Sequence, residues 1–409
     1  MQSRRLFLKS SAVAIFGIGA APRWLSRAVY AADGPSRRRK ILIAVFQRGA
    51  VDGLNMVVPH GEQRYYEMRP TIAIARPDGG PGSAIDLDGM FGLHPSLAPL
   101  KPLYDAQHLA IVEAVGSPDP TRSHFDAQDY MEAGTPGRKA TTDGWLNRAL
   151  PKENGKPSPV RAVSLGTNLP RTLRGHNEAV AMNSLADFQV RDSHGAEAFE
   201  QMYDHTVDTV LHGTGKETFD AVRIMQAIQK QTYTPANSAQ YPNGRFSQSL
   251  RQIAQLIKAD VGLEVAFADV GGWDTHVNEV GVLANNLREF GGALAAFYQD
   301  LGDRMEDVTV VTMSEFGRTA RENGNRGTDH GHANVMFVMG GDVRGGKIYG
   351  DWPGLAQLND NRDLRVATDS RSIAKGILRD HLGIDAASLR AKVFPDAPAL
   401  KPAEGLLRA

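Results

Sequence analysis

The chain has 409 residues, with 46 Lys plus Arg against 46 Asp plus Glu, 12 histidines and no cysteine. Residues 1–31 hold five basic side chains and no acidic ones, so the remainder has 41 basic against 46 acidic groups, a formal charge of −5, and lacks the basic field that nucleic-acid binding needs. Without cysteine, thiolate metal sites and cysteine nucleophiles are excluded, and any metal must be held by His, Asp, Glu, Asn or hydroxyl groups.

In chain order, Ser3-Arg4-Arg5-Leu6-Phe7-Leu8-Lys9, a short apolar run Ala12–Ala21 and small residues near Ala31 read as a twin-arginine export signal. The apolar run is shorter than the ~20 residues of a spanning helix, so no stable membrane span is expected after signal removal. The expected destination is the periplasm or the exterior, with the twin-arginine translocase as the partner during export. Such export carries folded proteins, which suits one that acquires a metal before it leaves. The rest, 32–409, reads as a single α/β domain, long enough to bury a core without disulfides.

That domain opens with the apolar strand Ile41–Phe46, which runs into Gly49-Ala50-Val51-Asp52-Gly53. Asp52 fits either a ligand aimed into a crevice at a strand end or an ordinary Asp-Gly turn. Leu109–Val115 is the next strand, followed by Arg122-Ser123-His124, where Ser123 fits a helix N-cap and equally a hydroxyl placed where an anion binds. Val160–Leu165 reads as a further strand. Apolar residues at helical spacing imply a helical insertion at about 190–235, and Leu250, Ile253, Leu256 and Ile257 imply another helix.

The strand Val265–Val270 ends in Gly271-Gly272-Trp273-Asp274-Thr275-His276. A helix then follows on the stripe Leu283, Leu287, Phe290, Leu294, Phe297, Leu301 and Met305, and returns the chain so that Val308–Met313 lies parallel to Val265–Val270. Glu315 leaves that strand, and Asp329, His330 and His332 precede Val335–Met339. Loops at strand ends form the ligand crevice of an open α/β sheet, so Asp274, His276 and Glu315 are expected to converge. Lys347–Trp352 reads as a short strand or hairpin, Asp369-Ser370 as the start of a helix through Ile373, Ile377, Leu378 and Leu382, and the Pro-rich end from Phe394 as a loosely ordered tail.

The stretches RGAVDGLN, PDPTRSHFDAQDYMEAG, GGWDTH, MSEFGRT and TDHGHANVMFVMGG, with the twin-arginine leader, resemble the DUF1501 family of exported bacterial proteins. That family is similar in layout to the alkaline phosphatase and sulfatase superfamily. The resemblance implies a doubly wound, mostly parallel sheet with helices on both faces, and one or two divalent ions, zinc first, with calcium, magnesium or manganese as alternatives. It places metal ligands at Asp52, Asp274, Glu315 and His330, with His332 as a competitor and His276 standing in for the imidazole that Asn278 lacks. Phe316 stands where the superfamily has a further His. The nucleophile falls on Ser123.

Together these readings describe a metal-dependent hydrolase of a small anionic phosphate or sulfate ester. Ser123 or a water would attack, and Arg122 and Arg318 would clamp the anion. The alternative is a secreted metal-binding or assembly protein that keeps the fold without turnover.

Overall fold

The structure is a computed structural model that describes residues 38–139, 141–150, 157–185, 221–230 and 232–408. The export signal, and the expected helical insertion up to residue 220, lie outside the described residues. Residues 221–229 are helical.

Among the described residues nine strands form the main sheet. They are β1 (Ile41–Gln47), β2 (Leu109–Gly116), β3 (Ala162–Leu165), β4 (Val180–Met182), β5 (Val265–Val270), β6 (Val308–Met313), β7 (Asn334–Gly340), β8 (Ile348–Tyr349) and β9 (Thr368–Asp369). Their order is β8-β2-β7-β6-β1-β5-β3-β4, with β9 also paired to β2. β1 lies between β5 and β6 and parallel to both, with Leu42 opposite Val265 and Ile41 opposite Val308. The expected parallel relation of β5 and β6 therefore holds across an intervening strand. β7 runs antiparallel to β6 and to β2.

Both faces of the sheet are covered, which is why its strands read as continuous apolar runs instead of alternating ones. In β1 the side-chain period of two sends Ile41, Ile43 and Val45 into one core and Leu42, Ala44 and Phe46 into the other. The first core is closed by helices α2 (Arg245–Lys258) and α3 (Glu279–Leu301), the latter burying Leu283, Leu287, Phe290, Leu294, Phe297 and Leu301. Each such side chain contributes roughly 1.5–3 kcal/mol when fully buried, so this stripe fixes α3 against the sheet. Ile373, Ile377 and Leu378 of α4 (Ser370–Asp380) close the second core. The fold is thus the expected doubly wound α/β layout.

The carboxyl-terminal tail differs from expectation. Phe394, Ala397, Leu406 and Leu407 are buried in the second core, and the buried Lys375 donates from Nζ to the carbonyls of Ala397 and Leu400. Proline content suggests looseness, but four apolar anchors and a buried ammonium hold the tail in place.

The strand directions bring the functional loops to one edge. β1, β5, β6 and β2 all end there, and the antiparallel β7 begins there. Helix α1 (His124–Ala133) starts from the same edge after β2.

Candidate metal centre

Three imidazoles and one carboxylate meet at this edge. His330 Nε2 lies 3.0 Å from His124 Nε2 and 3.0 Å from His276 Nε2. Asp274 Oδ1 is 2.9 Å from His276 Nε2, 3.3 Å from His330 Nε2 and 3.5 Å from His124 Nε2. The donor atoms of His124, Asp274 and His330 all lie within 4.8 Å of one another.

The far side of each ring fixes its orientation. His124 Nδ1 is 2.8 Å from Glu315 Oε1, His276 Nδ1 is 2.9 Å from Asp329 Oδ1, and His330 Nδ1 is 2.8 Å from the Arg122 carbonyl. A carbonyl or an ionised carboxylate only accepts, so each Nδ1 carries its hydrogen and each neutral ring turns its Nε2 lone pair inward. Three lone pairs and a carboxylate oxygen at one point repel unless a cation or protons lie among them. This donor set, with every ring backed by an acceptor, fits a divalent metal ion. The group is also accessible, the side chains of His124, Asp274, His276 and His330 being 22%, 46%, 38% and 24% exposed.

Charges around the group are set by its partners. Burial alone would raise the Glu315 carboxyl, but hydrogen bonds from His124, Gln128 and the Gly49 amide hold it below the usual range. The bond to Glu315 in turn raises His124. His330 is lowered, chiefly by burial. Asp274 would be raised by burial, yet Arg318 holds it down. The Asp329 carboxyl is lowered by its bond from His276.

Local sequence explains these positions. Ser123 is the N-cap of α1 and its hydroxyl accepts from the Asp126 amide at 3.5 Å, which leaves His124 as the first helical residue. Gly49, at φ +116°, lets the loop after β1 approach the Asp274 loop, where a Cβ would stand 2.9 Å from the Asp274 nitrogen. Its amide reaches Glu315 Oε1 at 2.8 Å. Phe316, 2% exposed, packs its ring 4.9 Å from that of His124 and 5.1 Å from that of His330, and so gives the imidazoles an apolar wall.

Of the residues singled out in the sequence, Asp274, His276 and His330 come together. Glu315 stands behind His124. Asp52 forms a buried ion pair with Arg69, and His332 Nε2 bonds the Ser117 carbonyl at 3.0 Å. The Arg122 guanidinium is held by Asp363 and Asp360. Arg318 is buried and donates to Asp274 at 2.7 Å and to Thr328. His124 was the ligand candidate that sequence reasoning left out, its only signal being its place beside Ser123 after a strand end.

A buried polar web supports the centre from below. Arg69 also bonds the Thr319 and Ala320 carbonyls of the loop after β6. Burial would raise Asp52, but Arg69 outweighs it and holds the carboxyl low. Glu279, at the start of α3, is pushed well above the usual range by burial and by the Asp52 charge. It accepts from Thr275 at 3.0 Å and from Thr328 at 2.6 Å, the latter also bonded to Arg318.

A family model described as "Protein of unknown function (DUF1501)" matches residues 105–392. No curated protein matches the sequence. Solved structures overlap in layout: the C-terminal periplasmic domain of EcEptC from Escherichia coli, in complex with Zn, at 10% identity and TM-score 0.34, covers 76% of this chain and 74% of its own. The lipoteichoic acid synthase LtaP from Listeria monocytogenes, at 10% identity and TM-score 0.35, covers 88% and 78%. Alkaline phosphatase from the Antarctic bacterium TAB5, at 12% identity and TM-score 0.32, covers 74% and 92%.

Proposed function

The chain belongs to the DUF1501 family, and we propose that it is a metal-dependent hydrolase of a phosphate or sulfate ester. The observation that carries this reading is the convergence of His124, His276 and His330 Nε2 on Asp274 Oδ1, each ring backed by an acceptor. These four residues would hold one ion. A set rich in imidazole suits zinc or another transition ion better than calcium or magnesium, which prefer oxygen alone. The ion Asp52 would need for a second site is replaced by the Arg69 guanidinium.

A divalent ion there would supply positive charge to the ester oxygens and would lower the pKa of a hydroxyl or water beside it. The chain's own residues do the rest. Glu315 and Asp329 fix the rings of His124 and His276, and Arg318 fixes Asp274. Ser123 adjoins His124 at the helix N-terminus, so its hydroxyl is the candidate nucleophile, with water as the other. The twin-arginine leader supports export, and no helix of the described residues is long and apolar enough to cross a membrane.

A second reading, a metal-binding protein without turnover, is favoured by one observation: both arginines expected to clamp the anion already have partners within the chain. Zinc-reconstituted protein assayed on aryl phosphate, phosphodiester and sulfate esters separates the two. Turnover that disappears with chelation and with Asp274→Ala supports the hydrolase. Stoichiometric zinc with no turnover of any ester supports the second reading.

A further inference from the structure

A cleft of about 660 Å3 lies beside the metal centre, at the same edge of the sheet. It is bounded by the loops after β3 and β5, by one side of α1 from Phe125 to Glu132 and by the first turn of α2. Gln128 joins the two: it lines the cleft, and its Nε2 donates at 2.8 Å to Glu315 Oε1, the oxygen that backs His124. His124 and Gln128 are one helical turn apart, about 6 Å along the axis. Phe125, the residue next to His124, also lines the cleft and is 90% exposed. Such an exposed ring beside a cleft offers a flat apolar surface to whatever fills it.

The carboxylates of the cleft are engaged while some of its cations are not. Glu132 and Asp269 both pair with Arg48, Asp129 pairs with Arg171, and Glu289 accepts from the Ser247 amide. Among the described residues Arg174 uses only its Nε, on the Leu169 carbonyl at 2.8 Å. For the guanidinium of Arg245, at the first position of α2, the described residues provide the nearby charge of Asp269 but no hydrogen bond. Arg171 and Arg174 stand close together, and burial together with the Arg174 charge lowers Arg171. Like charges gathered around a cavity, with guanidinium donors left over, form a site for an anion.

We propose that this cleft holds a second anionic group of the substrate through Arg174 and Arg245, so that the preferred ester carries two anionic groups joined by a body that lies over Phe125. This rests on the reading that the His and Asp cluster receives the reacting anion. The arginines would then set specificity: an ester with a single anionic group gains nothing from the cleft.

The test uses non-reacting sulfonates on the zinc-loaded protein, with calorimetry as the readout. Benzenesulfonate is compared with benzene-, naphthalene- and biphenyldisulfonate, whose anionic groups are spaced progressively further apart. At least one disulfonate is expected to bind about tenfold or more tightly than benzenesulfonate, since a second charge-assisted contact is gained. The double variant Arg174→Ala/Arg245→Ala should lose that gain while keeping its zinc content and its benzenesulfonate affinity. Both arginines are exposed, so unchanged thermal unfolding is the control for folding. Equal affinity for mono- and disulfonates, or a gain that survives in the double variant, overturns the proposal. A gain that depends on the two arginines in protein unable to bind zinc supports the cleft and sinks the metal reading instead.

Discussion

His124 and Glu315 lie 191 positions apart in sequence and meet at 2.8 Å through Nδ1 and Oε1. This contact turns His124 Nε2 towards His330 and Asp274, and it places Glu315 behind an imidazole where a strand-end carboxylate could equally have been a ligand. Partners that orient a metal-binding imidazole typically matter by 10–100-fold in affinity.

Glu315→Gln is therefore expected to weaken zinc binding by about 10–100-fold. The Gly49 and Gln128 donors can still bond an amide oxygen, so folding should persist. Competition with a chromophoric chelator measures the affinity, and an unchanged value would show that Glu315 does not position His124.

Asp52 and Arg69 provide a contrast. Their pair is fully buried, and removing one partner of such a pair costs about 3–5 kcal/mol. Arg69→Met should lower stability by that amount in urea unfolding, and Asp52→Asn should also destabilise, since the amide keeps an acceptor for Arg69 but leaves its charge uncompensated. Asp52→Asn should leave zinc stoichiometry intact in the folded fraction. Loss of zinc from that variant, with stability preserved, would return Asp52 to the ligand set.

Stability should fall with acid for a reason remote from the metal centre. His381 is buried, bonds the Ile41 carbonyl at 2.9 Å, and burial lowers its pKa to about 4. His94 is likewise lowered to about 4 by burial. Between that value and an unfolded value near 6.5 the unfolded chain binds more protons, so their contribution is complete above about pH 6.5 and declines as pH falls towards 4. His124, raised by Glu315, acts in the opposite sense: without metal, its contribution is present at low pH and lost as pH rises. Urea unfolding in chelator at a series of pH values, compared with His381→Asn, isolates the term. The variant should show a flatter loss between pH 6.5 and 4, and an identical slope would exclude His381 as a source.

Leu406 and Leu407 lie in the second core, 2% and 6% exposed. Leu406→Ala should cost about 2–5 kcal/mol, as for other buried leucines. A thermal midpoint equal to that of the parent would mean that the tail is not docked.

The layout of the sheet was legible because both its faces are buried, which writes each long strand as an apolar run bounded by turn residues. The α3 stripe was legible for the same reason. Polar partnerships were less so. Nothing in the sequence around Arg69 says that it will enter the interior and neutralise Asp52, because the contact exists only once the loop after β6 has folded over it. His124 was obscured by Ser123, whose capping pattern accounts for the local sequence without any ligand. The tail was misread from composition, since its four apolar anchors are scattered among prolines and part of its anchoring depends on carbonyls offered to Lys375, which any sequence could provide.

The metal centre is tested most directly by the zinc stoichiometry of the reconstituted protein beside His124→Ala, His330→Ala and Asp274→Ala, measured by elemental analysis after removal of free metal. A site held jointly by these residues requires one ion per chain in the parent, substoichiometric zinc in all three variants, and a thermal midpoint that zinc raises in the parent alone. Full zinc in all three variants, or none in the parent, would contradict it.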